Sequence, residues 1–257
     1  MNPLPLLWSA AACAALALVA SLHPRGRIVG LVCQAAAALC LATLLGLLWH
    51  SLGRPPLRTL GETRLWYAAL VLVIGMGLEW RLRTTLFRLP MLGFALLFCG
   101  LGIAAPDSFD RTLLPALRSP WFVPHVVVNL MSYAAFGLAG GAALTALIRR
   151  RGRPEVADLD LPLLLLRVGL AFLTLGLVLG ALWAKEAWGH YWSWDPKEAW
   201  AWMSWCMAVA AMHGTRGAAP RPQAWALVAT LAVILASWFL TPHMPAAQVS
   251  VHTYGWS

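Results

Sequence analysis

Apolar residues fall in eight runs separated by short polar breaks. The runs are Leu4–Leu22, Ile28–Trp49, Leu65–Trp80, Leu89–Ala105, His125–Ile148, Leu161–Trp183, Ala199–His213 and Ala224–Leu240. Several are shorter than the roughly 20 residues that a membrane crossing usually needs, so their ends are soft. The pattern predicts an all-α polytopic integral membrane protein with about eight transmembrane helices. A single transmembrane domain over residues 1–257 accounts for the whole chain, with no internal repeat or low-complexity segment. The first run resembles a signal peptide in being followed by Ala20-Ser21-Leu22-His23. No positive charge precedes it and a second span follows within a few residues, so a retained helix is expected.

Composition agrees. The chain is 60% hydrophobic and 11% charged, against about 25% charged in soluble domains. The formal charge of +9 comes from 17 Arg and 2 Lys against 10 acidic residues. The arginines sit in short loops between apolar spans, which points to topology and anionic lipid rather than nucleic acid. With the Arg149–Arg153 loop placed inside, alternation puts 11 basic residues on the inner side and 7 on the outer side. Arg167 lies within the sixth run, near its inner end, where it can snorkel. Both termini and the loop before Ala199 then face outward. The five cysteines all lie in apolar runs without a Cys-x-x-Cys pair. They read as small buried apolar residues, and the chain lacks the Cys-x-x-Cys-His of a c-type cytochrome.

One stretch stands apart. Seven of the fifteen tryptophans fall between Trp183 and Trp205. Within Trp188–Trp200, Gly189 permits a tight bend. An extended backbone after it would place the Trp192 and Trp194 rings on one side. Asp195 reads as a helix N-cap, Pro196 as the first helical residue and Glu198 as the N3 partner. This arrangement predicts an aromatic shelf at the membrane surface, suited to a large flat ligand. The alternative is an ordinary interfacial tryptophan belt.

The segment from Trp183 to Trp200 resembles the tryptophan-rich WWD signature of haem-handling cytochrome c assembly proteins. It is most similar to the CcsA (ResC) branch, the System II cytochrome c synthetase subunit, and Asp195-Pro196-Lys197-Glu198 separates it from the CcmC and CcmF relatives. The resemblance runs from about Glu62 to Ser257. Residues 61–257 would form the assembly core, with an outer WWD segment over 183–205, and residues 1–60 two less family-like helices. It implies a haem site in which Trp188, Trp192, Trp194 and Asp195 form the ring-holding segment. His125, which opens the fifth run after Pro124, and His252, in Val251-His252-Thr253-Tyr254-Gly255, match the family's two outer axial ligands of haem iron. Thr253 stands where the family usually has serine. His213 matches the family's transmembrane haem ligand. It lies 17 residues after Pro196, about 25 Å along a helix.

The remaining candidates are less defined. His190 lies inside the signature as a shelf residue, and His243 is the rival to His252. Lys185 and Lys197 suit either haem propionates or interfacial anchoring. Glu62 matches an acidic position in relatives but has no assignable role.

By resemblance, the chain binds haem b as substrate, carries it across a bacterial cytoplasmic membrane and presents it on the periplasmic side for thioether attachment to apocytochrome c. Relatives in plastids do so at the thylakoid. It would be one component of a holocytochrome c synthase. Two other readings stay open: a haem delivery protein without ligation activity, and a scaffold that binds no haem. No extramembrane stretch exceeds about 20 residues, which implies a membrane partner resembling CcsB (ResB) as the docking platform. Membrane lipid is the other expected contact, and nucleic acid is not.

Overall fold

The computed structural model describes residues 3–109, 115–214, 216–241, 244–245 and 250. Among them are eight α-helices and no strand. The helices are α1 (Leu4–Ala20), α2 (Arg27–Leu52), α3 (Leu60–Leu82), α4 (Arg88–Ala104), α5 (Phe122–Arg149), α6 (Asp160–Trp188), α7 (Pro196–Gly214) and α8 (Pro220–Phe239). Each coincides with one of the eight apolar runs to within a few residues at either end. Five are long and apolar enough to cross a membrane: α2, α3, α5, α6 and α8. Helices α1 and α4 are apolar but 17 residues long. Helix α7 opens on Pro196-Lys197-Glu198 and carries three tryptophans, Trp200, Trp202 and Trp205, a side chain that prefers the interface to the hydrocarbon core.

The chain divides into two compact units, Met1–Arg111 and Thr112–Ser257. In the first, α1 packs on α2 and α4, and α3 packs on α4. Tyr67 is buried with its ring edge-on to Phe98, at 4.7 Å between centroids. Glu62 acquires a structural role here. It is 2% exposed. Its carboxylate accepts two hydrogen bonds from the Arg54 guanidinium at 2.9 and 3.0 Å, and one each from the backbone N–H groups of Arg58 (2.7 Å) and Thr59 (3.2 Å). Thr59 Oγ1 in turn accepts from the Glu62 N–H, closing a capping box at the start of α3. The carboxylate therefore ties the α2–α3 connection to the helix that follows it. A second ion pair, Arg88 to Glu79, links the end of α3 to the start of α4.

In the second unit α5 is the central helix. Of its most apolar 18-residue window, 72% is buried, against 28% for α6 and for α8. Small residues allow this. A Cβ on Gly140 would come 2.5 Å from the Leu231 Cβ of α8, and one on Gly169 would come 3.0 Å from the Phe136 ring. Glycine at such points lets membrane helices approach closely enough for dispersion contact. The antiparallel pair α5 and α6 brings the start of α5, the end of α6 and the start of α7 to one end of this unit.

The cysteines form no disulfide. Cys99 is buried and Cys13, Cys33 and Cys40 are partly so. Cys206 departs from the buried expectation, because it lies on the outward face of α7 and is exposed.

Candidate functional site

His125 lies in the first turn of α5, after Pro124. Its imidazole packs against α6 at Gly176 and Gly180. A Cβ on Gly180 would come 2.7 Å from His125 Cε1 and 2.9 Å from Nδ1. The position is therefore open to the ring only because residue 180 is glycine. His125 Nδ1 lies 2.9 Å from the Gly176 carbonyl oxygen. With the proton on Nδ1, the ring donates to that carbonyl and the lone pair sits on Nε2. An N–H bond to backbone carbonyl is the usual way a ligating histidine is oriented. Asn129, one turn on, donates to the His125 carbonyl at 2.9 Å, and its amide nitrogen lies 3.1 Å from Nδ1 and 3.5 Å from Nε2.

The His125 ring stacks on Trp183, with centroids 5.5 Å apart and planes 26° from parallel. Trp183 is 2% exposed. Its indole N–H donates to Ala116 O at 2.8 Å. Phe122 and Trp188 lie edge-on to it at 5.2 and 4.8 Å. Trp183 is thus the hub joining His125 to Trp188. The sequence marks Trp183 as a member of the tryptophan cluster and not as part of the site. The signals were the Gly176–Gly180 pair, four residues apart on one face of α6, and Asn129 four residues after His125.

Gly189 ends α6 with φ +86°, as the expected bend requires. Lys185 Nζ donates to the Gly189 carbonyl at 2.7 Å and lies 5.5 Å from the Tyr191 ring centroid, so it fastens this turn. Glu186 accepts from Ser119 Oγ at 2.8 Å, tying the end of α6 to the segment before α5.

The expected cap at α7 is present. Asp195 Oδ1 accepts from the Lys197 N–H at 3.0 Å, and Glu198 reaches back to the N–H of Asp195 at 3.2 Å. Glu198 also accepts from the N–H of Ser193 at 2.8 Å. These contacts alter the expected shelf. The backbone curls around the Glu198 carboxylate, and Trp194, between the two amides, takes φ +59°. It is not extended. The Trp192 and Trp194 rings meet at 87° with centroids 5.8 Å apart, forming a corner rather than a flat surface. Trp194 is 68% exposed.

The other histidines divide. His190 is partly buried, and its Nδ1 has no hydrogen-bond partner. His213 is exposed at the far end of α7 and is not brought near His125. His243 and His252 lie outside the described residues. The chain after α8 does return to the tryptophan end, since the Trp200 indole N–H lies 3.3 Å from Met244 Sδ.

Comparisons with known proteins agree on one family. The family model described as "Cytochrome C assembly protein" matches residues 9–244. A Picosynechococcus protein named "Cytochrome c biogenesis protein CcsA" is 27% identical, covering 89% of this chain and 88% of the relative. A Synechococcus protein of the same name is 30% identical, covering 86% and 85%. The Chlamydomonas reinhardtii protein of that name is 32% identical, covering 84% and 65%. Among solved structures, "Cytochrome c Heme Lyase CcmF" superposes with a TM-score of 0.76 at 20% identity, over 97% of this chain. The chain spans about half of that protein, 49% of its length, and the likeness is one of fold.

Proposed function

Because the chain belongs to the cytochrome c assembly family, in its CcsA branch, we propose that it binds haem, carries it across the membrane and presents it for attachment to apocytochrome c. Haem b is the substrate and not a resident cofactor. His125 Nε2 is one axial ligand on the outer side and His252 the other. Trp183, Trp188, Trp192 and Trp194 line the ring's path, and Asp195 holds that segment by capping α7. His213, about 25 Å away along α7, is an earlier resting point near the inner face. Eight membrane crossings, with both termini outside, put His125 and the tryptophans on the periplasmic side of a bacterial cytoplasmic membrane.

The observation that supports this reading is the His125 arrangement. The imidazole is stacked on a buried indole and aligned by the Gly176 carbonyl, against a helix face kept open by Gly180. Such preorganisation is the protein's share of the work. In attachment itself, each cysteine S–H adds across a haem vinyl C=C. A C–S bond forms, the hydrogen goes to the other vinyl carbon, and no electron is gained or lost. Two neutral imidazoles would hold the iron while the vinyl groups react. A CcsB-like membrane subunit supplies the docking surface for apocytochrome and the second ligand opposite His213.

The test is the visible spectrum of the chain purified from haem-replete cells, wild type beside His125→Ala and His252→Ala. A bis-histidine spectrum that weakens in both variants and returns with added imidazole is expected. An unchanged spectrum in His125→Ala would remove that residue from the site. Co-expression with the partner and an apocytochrome then separates ligation from delivery: thioether product marks the first, and bound haem without product marks the second.

A further inference from the structure

At the end of the second unit away from the tryptophan cluster, α6, α7, the connection after it and α8 border a half-open cavity of about 220 Å³. Its walls are apolar at Leu163, Leu166 and Met212 and polar at Arg167, Arg216 and Gln223. Arg167 stands seven residues into α6, about 10 Å along the helix, within an otherwise apolar stretch. Arg216 follows the end of α7. Gln223 is in the first turn of α8, and its side-chain amide donates to Ala218 O at 3.0 Å. No carboxylate lines the cavity. Among the described residues, neither arginine forms an ion pair.

Two guanidinium groups facing one small amphipathic cavity select an oxyanion, which guanidinium binds through paired N–H bonds. The volume decides which kind of molecule carries it. Pockets that bury a whole drug-sized ligand run to about 300–1,000 Å³, so this one takes a headgroup and not a macrocycle. The apolar walls suit the first carbons of an acyl chain. Basic pockets between membrane helices on the cytoplasmic side are a recognised mode of anionic-lipid binding. We propose that this cavity binds the phosphate of an anionic phospholipid. The bound phosphate would fasten the α7–α8 connection to α6, on the stretch of chain that carries His213 and independently of the His125 site.

The probes are phosphatidylglycerol and phosphatidylcholine, offered in equal amounts to the purified chain and counted as retained adducts by native mass spectrometry. One phosphatidylglycerol should be retained in preference to phosphatidylcholine. Arg167→Gln and Arg216→Gln should each lower that retention about fivefold, as expected for one basic contact at a membrane surface. Arg167→Lys and Arg216→Lys, which keep the charge, should retain most of it and serve as the folded reference if the glutamine variants fail to insert. Equal retention of the two lipids, or retention unchanged in both glutamine variants, would overturn the proposal. So would loss of haem in those variants with lipid adducts intact, which would make the anion a haem carboxylate.

Discussion

The imidazole of His125 and the indole of Trp183 lie nearly parallel, 26° apart with centroids at 5.5 Å. They come from helices that run in opposite directions, 58 positions apart in the chain. Neither residue is held by its own helix alone. Trp183 is anchored through its N–H to Ala116, and His125 through Nδ1 to Gly176. The pair is therefore a product of the α5–α6 interface.

Gly180→Ala tests that interface. The new Cβ falls 2.7 Å from His125 Cε1 and 2.9 Å from Nδ1, so the ring must leave its place although the residue remains. Haem retained per protein, read from the reduced spectrum, should fall about as far as in His125→Ala. Full retention would mean that the observed ring position is not the ligating one.

Trp183 carries packing and orientation together. Trp183→Ala should lower stability by about 3–5 kcal/mol, the usual cost of removing a large buried aromatic side chain, seen as a lower Tm in detergent. Trp183→Phe keeps an aromatic ring and loses the bond to Ala116, a loss of about 1 kcal/mol. Haem retention should follow the order wild type, Phe, Ala.

Trp194 offers the opposite combination. Its φ of +59° costs a residue with a Cβ about 1–2 kcal/mol, and its ring is largely exposed. Trp194→Gly removes both the strain and the ring. Thermal stability should hold or rise while haem retention falls several-fold. A variant with lower Tm and unchanged haem would show that the ring serves packing only.

Glu62 should be separable from the site. Glu62→Gln leaves Arg54 without its counter-charge in a buried position, which typically costs about 3–5 kcal/mol. The chain between Gly53 and Thr59 should become a protease-sensitive point and Tm should drop. In the population that remains folded, the haem spectrum should match wild type.

Sequence alone determined what depends on neighbours within a few residues. The eight apolar runs became eight helices because helix formation uses i to i−4 bonds and lipid or packing rewards apolar runs. Gly189 ends α6, and Asp195 with Glu198 caps α7, because the groups that satisfy those helix ends lie within five residues. Even there a local contact overrides the extended pattern: the Glu198 bonds to Ser193 and Asp195 bend Trp194 out of an extended path. Tertiary structure decided the rest. That Trp183 underlies His125, that Gly180 is the opening for its ring, that Glu62 closes on Arg54, and that Arg167 and Arg216 share one cavity all depend on contacts between different helices or across a connection. Such contacts leave only faint marks in the chain, such as a glycine pair on one face or a single arginine in an apolar run. Hydropathy records that a residue is buried, and only the packing of helices records against what.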